Sequence, residues 1–199
     1  MTMAMGLYFF AIAFALAQLE IQIEGKHGWA ERLPTWRWQS ETVLRWAGKP
    51  VTGYHVFLQL FLLLVIHLPL MYTGFSLERE AELISLFFLL AVFWDFLWFV
   101  CNPHFGLSRF GRGQVWWFQS WFLGLPTPYY AGLGLSVAVY LAAGVHLTGT
   151  QSLWERTASW VMVVTALAIP TVVTVAAAAV TSSRRLAPSD ARRELDSSS

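Results

Sequence analysis

Glu20, His55 and Asp95 are the residues of this chain whose types and placement could do chemistry. Each lies inside a long apolar run: Glu20 five residues before Gly25, His55 five after Pro50, Asp95 seven before Asn102. At a helical rise of about 1.5 Å per residue, all three fall ~7–10 Å inside one end of their segments, at nearly one depth. Ionisable groups inside hydrocarbon are costly and are a functional hypothesis by default. Glu20 and Glu24 share a helix face, as do Asp95 and Asn102. Carboxylates beside an imidazole suit a divalent metal ion or general acid–base work. Glu20, Glu24, His55 and Asp95 are therefore the catalytic candidates, and Glu24, His27, His55, Asp95 and His104 the metal-ligand candidates.

His27 joins that set if the first helix continues past Gly25. Glu24 and His27 then form a Glu-x-x-His pair, the spacing by which di-iron carboxylate bundles aim two ligands inward. Against a metal stand the presence of one such pair rather than two, the lack of any His-x-x-x-His, and the weakening effect of Gly25. In the competing reading these groups neutralise one another and fix helix packing near the membrane interface. His67 and His146 form a separate pair, ~25 Å from the same end of their spans. Facing imidazoles there could ligate a b-type haem, and hydrogen bonds to neighbouring carbonyls are the structural alternative. Glu78, Glu80 and Glu82 follow Ser76 as acidic residues at a helix N-terminus, with no chemistry assigned. No Gly-x-Ser-x-Gly elbow or phosphate-cradling glycine loop occurs.

The elements that must position these groups are membrane helices. In 199 residues, 56% are hydrophobic and 13% charged, and the mean hydropathy is +0.52, which excludes an ordinary water-soluble core. Apolar runs approach the ~20 residues that cross hydrocarbon, at about 5–23, 51–73, 83–101, 129–147 and 159–180. The uncharged stretch 1–19 reads as a retained first span rather than a signal peptide. The expectation is an all-α polytopic protein: a five-helix membrane domain over 1–181 and a disordered tail over 182–199. Pro170 predicts a kink in the last span, and Gly132 with Ser136 a close helix contact in the fourth. No repeat of helix pairs supports a transporter built from inverted halves.

Eleven of the thirteen basic residues fall on one side of this arrangement, with Arg79 and Arg156 on the other. The positive-inside rule then places the N-terminus outside and the C-terminus in the cytoplasm, with the chain in the cytoplasmic (plasma) membrane. The formal charge of +1 argues against nucleic acid as a partner. A lone Cys101 excludes an internal disulfide or a multi-cysteine metal site.

Tryptophans crowd the same side: Trp29, Trp36, Trp38 and Trp46 in one loop, Trp116, Trp117 and Trp121 in another. Both loops should lie on the membrane, with a short helix over 41–47 and an interfacial or re-entrant piece over 115–125. Arg37, Arg45, Arg109 and Arg112, with Trp116 and Trp117, are the candidates for holding an anionic lipid or isoprenoid-phosphate headgroup. The leading expectation is a membrane enzyme acting on a lipid or isoprenoid-type substrate at the cytoplasmic leaflet, with a divalent metal ion as cofactor and membrane lipid as partner. Its rivals are a non-catalytic assembly or accessory subunit that docks a membrane-protein partner, and a b-type haem protein using His67 and His146.

Overall fold

A chain surrounded by hydrocarbon must satisfy its backbone polar groups within itself, and helices do so residue by residue. The structure, a computed structural model, describes residues 1–147 and 152–186, without the side chains of residues 46, 144–147 and 183–186. Among the described residues are six α-helices: α1 Met3–Glu24, α2 Glu41–Ala47, α3 Gly53–Thr73, α4 Leu77–Cys101, α5 Thr127–Leu147 and α6 Leu153–Leu186. Four of them, α1, α3, α4 and α6, are long and apolar enough to cross a membrane. Their outward faces keep large apolar side chains exposed, among them Phe57, Phe61, Leu64, Met71 and Val172. Apolar surface on that scale fits lipid rather than water.

Side-chain caps start the helices where polar residues precede apolar runs. Thr2, Ser40, Thr52 and Ser76 each accept a hydrogen bond from a backbone N–H in the first turn of α1, α2, α3 and α4. The short helix expected over 41–47 is α2, closed by Gly48 in the left-handed conformation. The expected interfacial piece over 115–125 contains no α-helix. It is built of turns and a small hairpin, with β3 (Trp121–Phe122) antiparallel to β4 (Leu125–Pro126). A second hairpin pairs β1 (Arg37–Trp38) with β2 (Val51–Thr52), returning the chain to the start of α3. α6 runs to Leu186, past the expected domain boundary at 181, and the remainder of the expected tail, 187–199, lies outside the described residues.

α4 is the central pillar. It packs against α1, α3, α5 and α6, and its Leu86, Leu89, Leu90 and Leu97 are fully enclosed. The small-residue contact expected in the fourth span is made with α4: Ser136 Oγ lies 2.9 Å from Ser85 Oγ, and a Cβ on Gly132 would come within 2.6 Å of Val92. Trp160 of α6 donates its indole N–H to the same Ser136 oxygen.

The three glutamates opening α4 do more than complement the helix N-terminus. Each joins a different neighbour: Glu78 pairs with Arg156 of α6 at 2.8 Å, Glu80 with His67 of α3 at 3.1 Å, and Glu82 with the N-terminal ammonium of Met1 at 2.9 Å. Arg156 is the most deeply enclosed, 1% exposed, with a second bond to the Tyr140 carbonyl and its guanidinium over the Tyr140 ring. Glu78 is more open to its surroundings than its partner. Breaking this pair should therefore be asymmetric. Glu78→Leu strands a buried cation and should cost about 3 kcal/mol or more, Arg156→Met distinctly less, and the double variant should recover part of the loss. Denaturant unfolding in detergent micelles measures all three; equal costs for the two single variants would contradict the asymmetry.

Candidate functional site

At the end of the bundle away from those glutamates, α1, α3 and α4 enclose a cavity of about 500 Å³. Each helix offers it residues at one-turn spacing: Glu20 and Glu24 from α1, His55 and Gln59 from α3, Ala91, Asp95 and Trp98 from α4. Trp29 and Trp117 close it from the loops. Val56 and Leu60 of α3 line it while remaining 39% and 46% exposed, so the cavity opens sideways along α3.

Two contacts set the register of these helices. Gly25, with φ near 59°, ends α1, and its carbonyl accepts a 2.8 Å bond from Asn102 Nδ2 at the end of α4. Asn102 is 1% exposed, so the ends of α1 and α4 are joined where no water competes. Lower on α4, Asp95 Oδ2 accepts a short hydrogen bond from the Tyr129 hydroxyl of α5.

Glu20, Glu24 and His55 converge within this frame. One ligand-type atom from each lies within 4.8 Å of the others. His55 Nε2 is 3.8 Å from Glu20 Oε1 and 3.9 Å from Glu24 Oε1. An imidazole hydrogen-bonded to a carboxylate closes to ~3 Å. Ligands at ~2.0–2.2 Å from a shared tetrahedral ion stand ~3.3–3.6 Å apart, so the three groups would need to close by a few tenths of an ångström or more to hold one. The other ring nitrogen, Nδ1, is 2.7 Å from Thr52 Oγ1. In the tautomer that donates Nδ1–H to Thr52, Nε2 turns a lone pair towards two carboxylates and can share a cation with them; in the other, Thr52 donates to Nδ1 and Nε2–H faces the carboxylates. The Tyr54 hydroxyl and the Trp94 indole also approach Glu20.

The loop after α1 closes over His55. Trp29 stacks on the imidazole with centroids 4.0 Å apart and planes 16° from parallel. Trp29 and its successor Ala30 both hold positive φ, 58° and 52°, each costing roughly 1–2 kcal/mol in a non-glycine residue. The turn is held by its surroundings. Glu24 Oε1 accepts the Ala30 N–H at 2.5 Å, the Trp29 indole donates to the Pro50 carbonyl, and Arg37 donates to the Ala30 carbonyl. Gly28 beneath it leaves room for the Trp117 ring, which a Cβ there would strike.

Several expected site residues lie elsewhere. Because α1 stops at Gly25, His27 does not continue the Glu24 face, and its ring lies 3.5 Å from Glu31 instead. His104 is exposed, and the cavity lining includes neither histidine. Arg37 spends its guanidinium on the carbonyls of Thr35, Ala30, Glu31 and Leu33, a loop-ordering role. Arg45 pairs with Glu41 on the exposed face of α2, and Arg109 bonds the His104 carbonyl. Arg112 and Trp116 are exposed and outside the lining, which leaves Trp117 as the member of the headgroup set at the cavity. His67 has both ring nitrogens engaged, Nδ1 with the Leu63 carbonyl at 2.6 Å and Nε2 with Glu80 at 3.1 Å. His146 falls outside the described side chains.

Lys49 escaped sequence reasoning. Its ammonium sits 3.3 Å from the centroid of the Trp29 ring, on the loop leading into α3, with Phe118 4.9 Å away. Burial pushes its pKa down to about 8, while the charge of Asp95 pulls it back up. One basic residue among five in a tryptophan-rich loop carries no sequence mark of this. Comparison with protein families, with curated proteins and with solved structures finds no match, so the site is read from its own chemistry.

The Lys49 shift has a definite sign. The unfolded chain holds this proton up to the ordinary lysine value of 10.5, and the folded chain releases it at about 8. Its contribution to stability is thus fully present above pH 10.5 and lost as pH falls through about 8. Relative to Lys49→Met, the native unfolding temperature should rise across that window, by several degrees in a chain of this size. Thermal melts of both proteins in one detergent at matched pH values check this; parallel profiles would contradict it.

Proposed function

We propose that this chain is a membrane-embedded enzyme that acts on a lipid or isoprenoid-type substrate, with a divalent metal ion held by Glu20, Glu24 and His55. The observation that carries the reading is the convergence of three ligand-type atoms within 4.8 Å, on the wall of an otherwise largely apolar cavity. Its mouth along α3 faces hydrocarbon in a bilayer, a route for a chain that never leaves the membrane. We assign five spans, counting α5, with the N-terminus outside and the cavity beneath the cytoplasmic headgroups of the plasma membrane. Support for this orientation is the eleven-to-two division of basic residues.

A bound divalent ion would polarise a substrate oxygen as a Lewis acid. The protein groups do the rest. Thr52 fixes the His55 ring, and Trp29 shields it from the headgroup region. Asp95, held by Tyr129, stands on the same cavity as the group that takes or returns a proton.

Protein purified without chelator should carry about one equivalent of a transition-metal ion, measured by elemental analysis. Glu24→Gln and His55→Ala should each weaken retention by at least tenfold, and Asp95→Asn should leave it near native. In vesicles of total lipid extract, the native protein should convert at least one lipid species that Asp95→Asn does not, read by mass spectrometry. Metal content no higher than in a Glu20→Gln/Glu24→Gln/His55→Ala variant would defeat the metal assignment. Identical lipid profiles for native protein and variant would defeat the enzyme reading.

A further inference from the structure

Three buried side-chain polar atoms at the cavity have no hydrogen-bond partner among the described residues, and one of them, Trp94 Nε1, lies towards the Glu20 carboxylate. Gln59 Oε1 on α3 and the indole Nε1 of Trp98 on α4 are buried without a hydrogen bond, and both side chains line the cavity that holds Glu20, Glu24 and His55. Trp98 is only 3% exposed and is fixed by rings on several sides, including Phe99, Phe105 and Trp117, so its N–H cannot turn away to find water. Native interiors leave few such groups unsatisfied, and a hydrocarbon surrounding makes the penalty larger. With Trp94 facing Glu20, the two that remain are one acceptor, Gln59 Oε1, and one donor, Trp98 Nε1–H.

We propose that the cavity takes a lipid with an uncharged hydroxyl head, a long-chain or isoprenoid alcohol in chemical class. The hydroxyl accepts from Trp98 Nε1–H, donates to Gln59 Oε1, and brings its oxygen into the chamber with the carboxylates. This inference deepens, and rests on, the reading of the cavity as a lipid site. An alcohol is the simplest head group that both donates and accepts at one atom.

Charge separates this head from the anionic one that the loop arginines first implied. The lining contributes three carboxylates, Glu20, Glu24 and Asp95, and no lysine or arginine among the described residues. A divalent ion would offset two of those charges, and Lys49, whose charge acts on Asp95 from outside the lining, would offset the third. No positive charge is then left over for a phosphate, and the arginines are bonded elsewhere or exposed. The apolar walls, among them Val56, Leu60 and Leu63, suit the chain that follows the head.

The test uses the full chain in lipid nanodiscs, photolabelled with a diazirine-bearing hexadecanol and competed with hexadecanol, hexadecane, hexadecyl phosphate or hexadecyltrimethylammonium. Labelling is done on metal-loaded and chelator-treated samples, with metal content measured on each. Labels should map to α3 and α4, and hexadecanol should displace the probe at concentrations at least tenfold below the three other competitors. Gln59→Leu should weaken hexadecanol competition about tenfold, as expected for one lost buried hydrogen bond, without changing metal content. Trp98→Phe should do the same. Since Trp98 packs in the aromatic core, Gln59→Leu, on the lipid-facing helix, carries the decision if Trp98→Phe misfolds. Displacement independent of the head group would mean that the orphans are served by water alone and would overturn the proposal. So would preference for either charged competitor, or an unaffected Gln59→Leu. A chain that selects the alcohol yet holds no metal would defeat the metal reading alone, and a metal-loaded chain indifferent to the head group would defeat this one alone.

Discussion

The arrangement of this molecule depends on how α4 is fastened at both of its ends by directional polar contacts to its neighbours. At its start, Glu78, Glu80 and Glu82 reach α6, α3 and the N-terminus of the chain. Further along, Asp95 holds Tyr129 of α5, and at its end Asn102 holds the carbonyl that terminates α1. Dispersion between apolar helices sets no unique register in lipid, because a neighbouring acyl chain packs nearly as well as a neighbouring leucine. Directional bonds set it. With α4 tied to α1 at Asn102, the carboxylates of Glu20 and Glu24 arrive at the level of Asp95 and Trp98.

The site is the least relaxed part of this frame. Consecutive positive φ values at Trp29 and Ala30 place an aromatic ring over His55, and three separate groups are recruited to keep them there. One is Glu24, a member of the cluster itself, which links the conformation of the covering loop to the state of the chamber below. Arg37, which sequence pattern alone assigns to a headgroup, turns out to order this turn. Strain of this kind persists where surrounding structure over-determines it, commonly at functional sites. Lys49 completes the stack by lying on the opposite partner of the pair, the Trp29 ring.

Much of this was legible in the sequence wherever a periodic or additive rule applied. Helical rise put Glu20, His55 and Asp95 at one depth, and the structure brings all three, with Glu24, to one cavity. The caps, the short helix α2 and the close contact at Gly132 and Ser136 follow from local chemistry in the same way. His27 was misplaced because the spacing rule holds only while the helix lasts, and Gly25 ends it. The partners of Arg37, Arg45 and Arg109 were not legible, because composition reports which side an arginine occupies and not which carbonyl or carboxylate it will find. Gln59, Trp98 and Lys49 gave no signal: a glutamine in an apolar run, a tryptophan among tryptophans and a lysine in a basic loop are each unremarkable until their neighbours are known.

By itself, then, the sequence determined the helical character of this protein, its runs apolar enough to cross a membrane and the level of its ionisable groups along those runs, since all three follow from summed transfer energies and a constant rise per residue. Only the tertiary structure decided which groups meet. Rotation of each helix about its axis and the path of each loop depend on pairings between distant residues, Asn102 with Gly25 and Arg156 with Glu78 among them. A single hydrogen bond between segments some seventy or more positions apart leaves no periodic trace along the chain, yet it selects which face of a helix looks into the cavity and which into lipid.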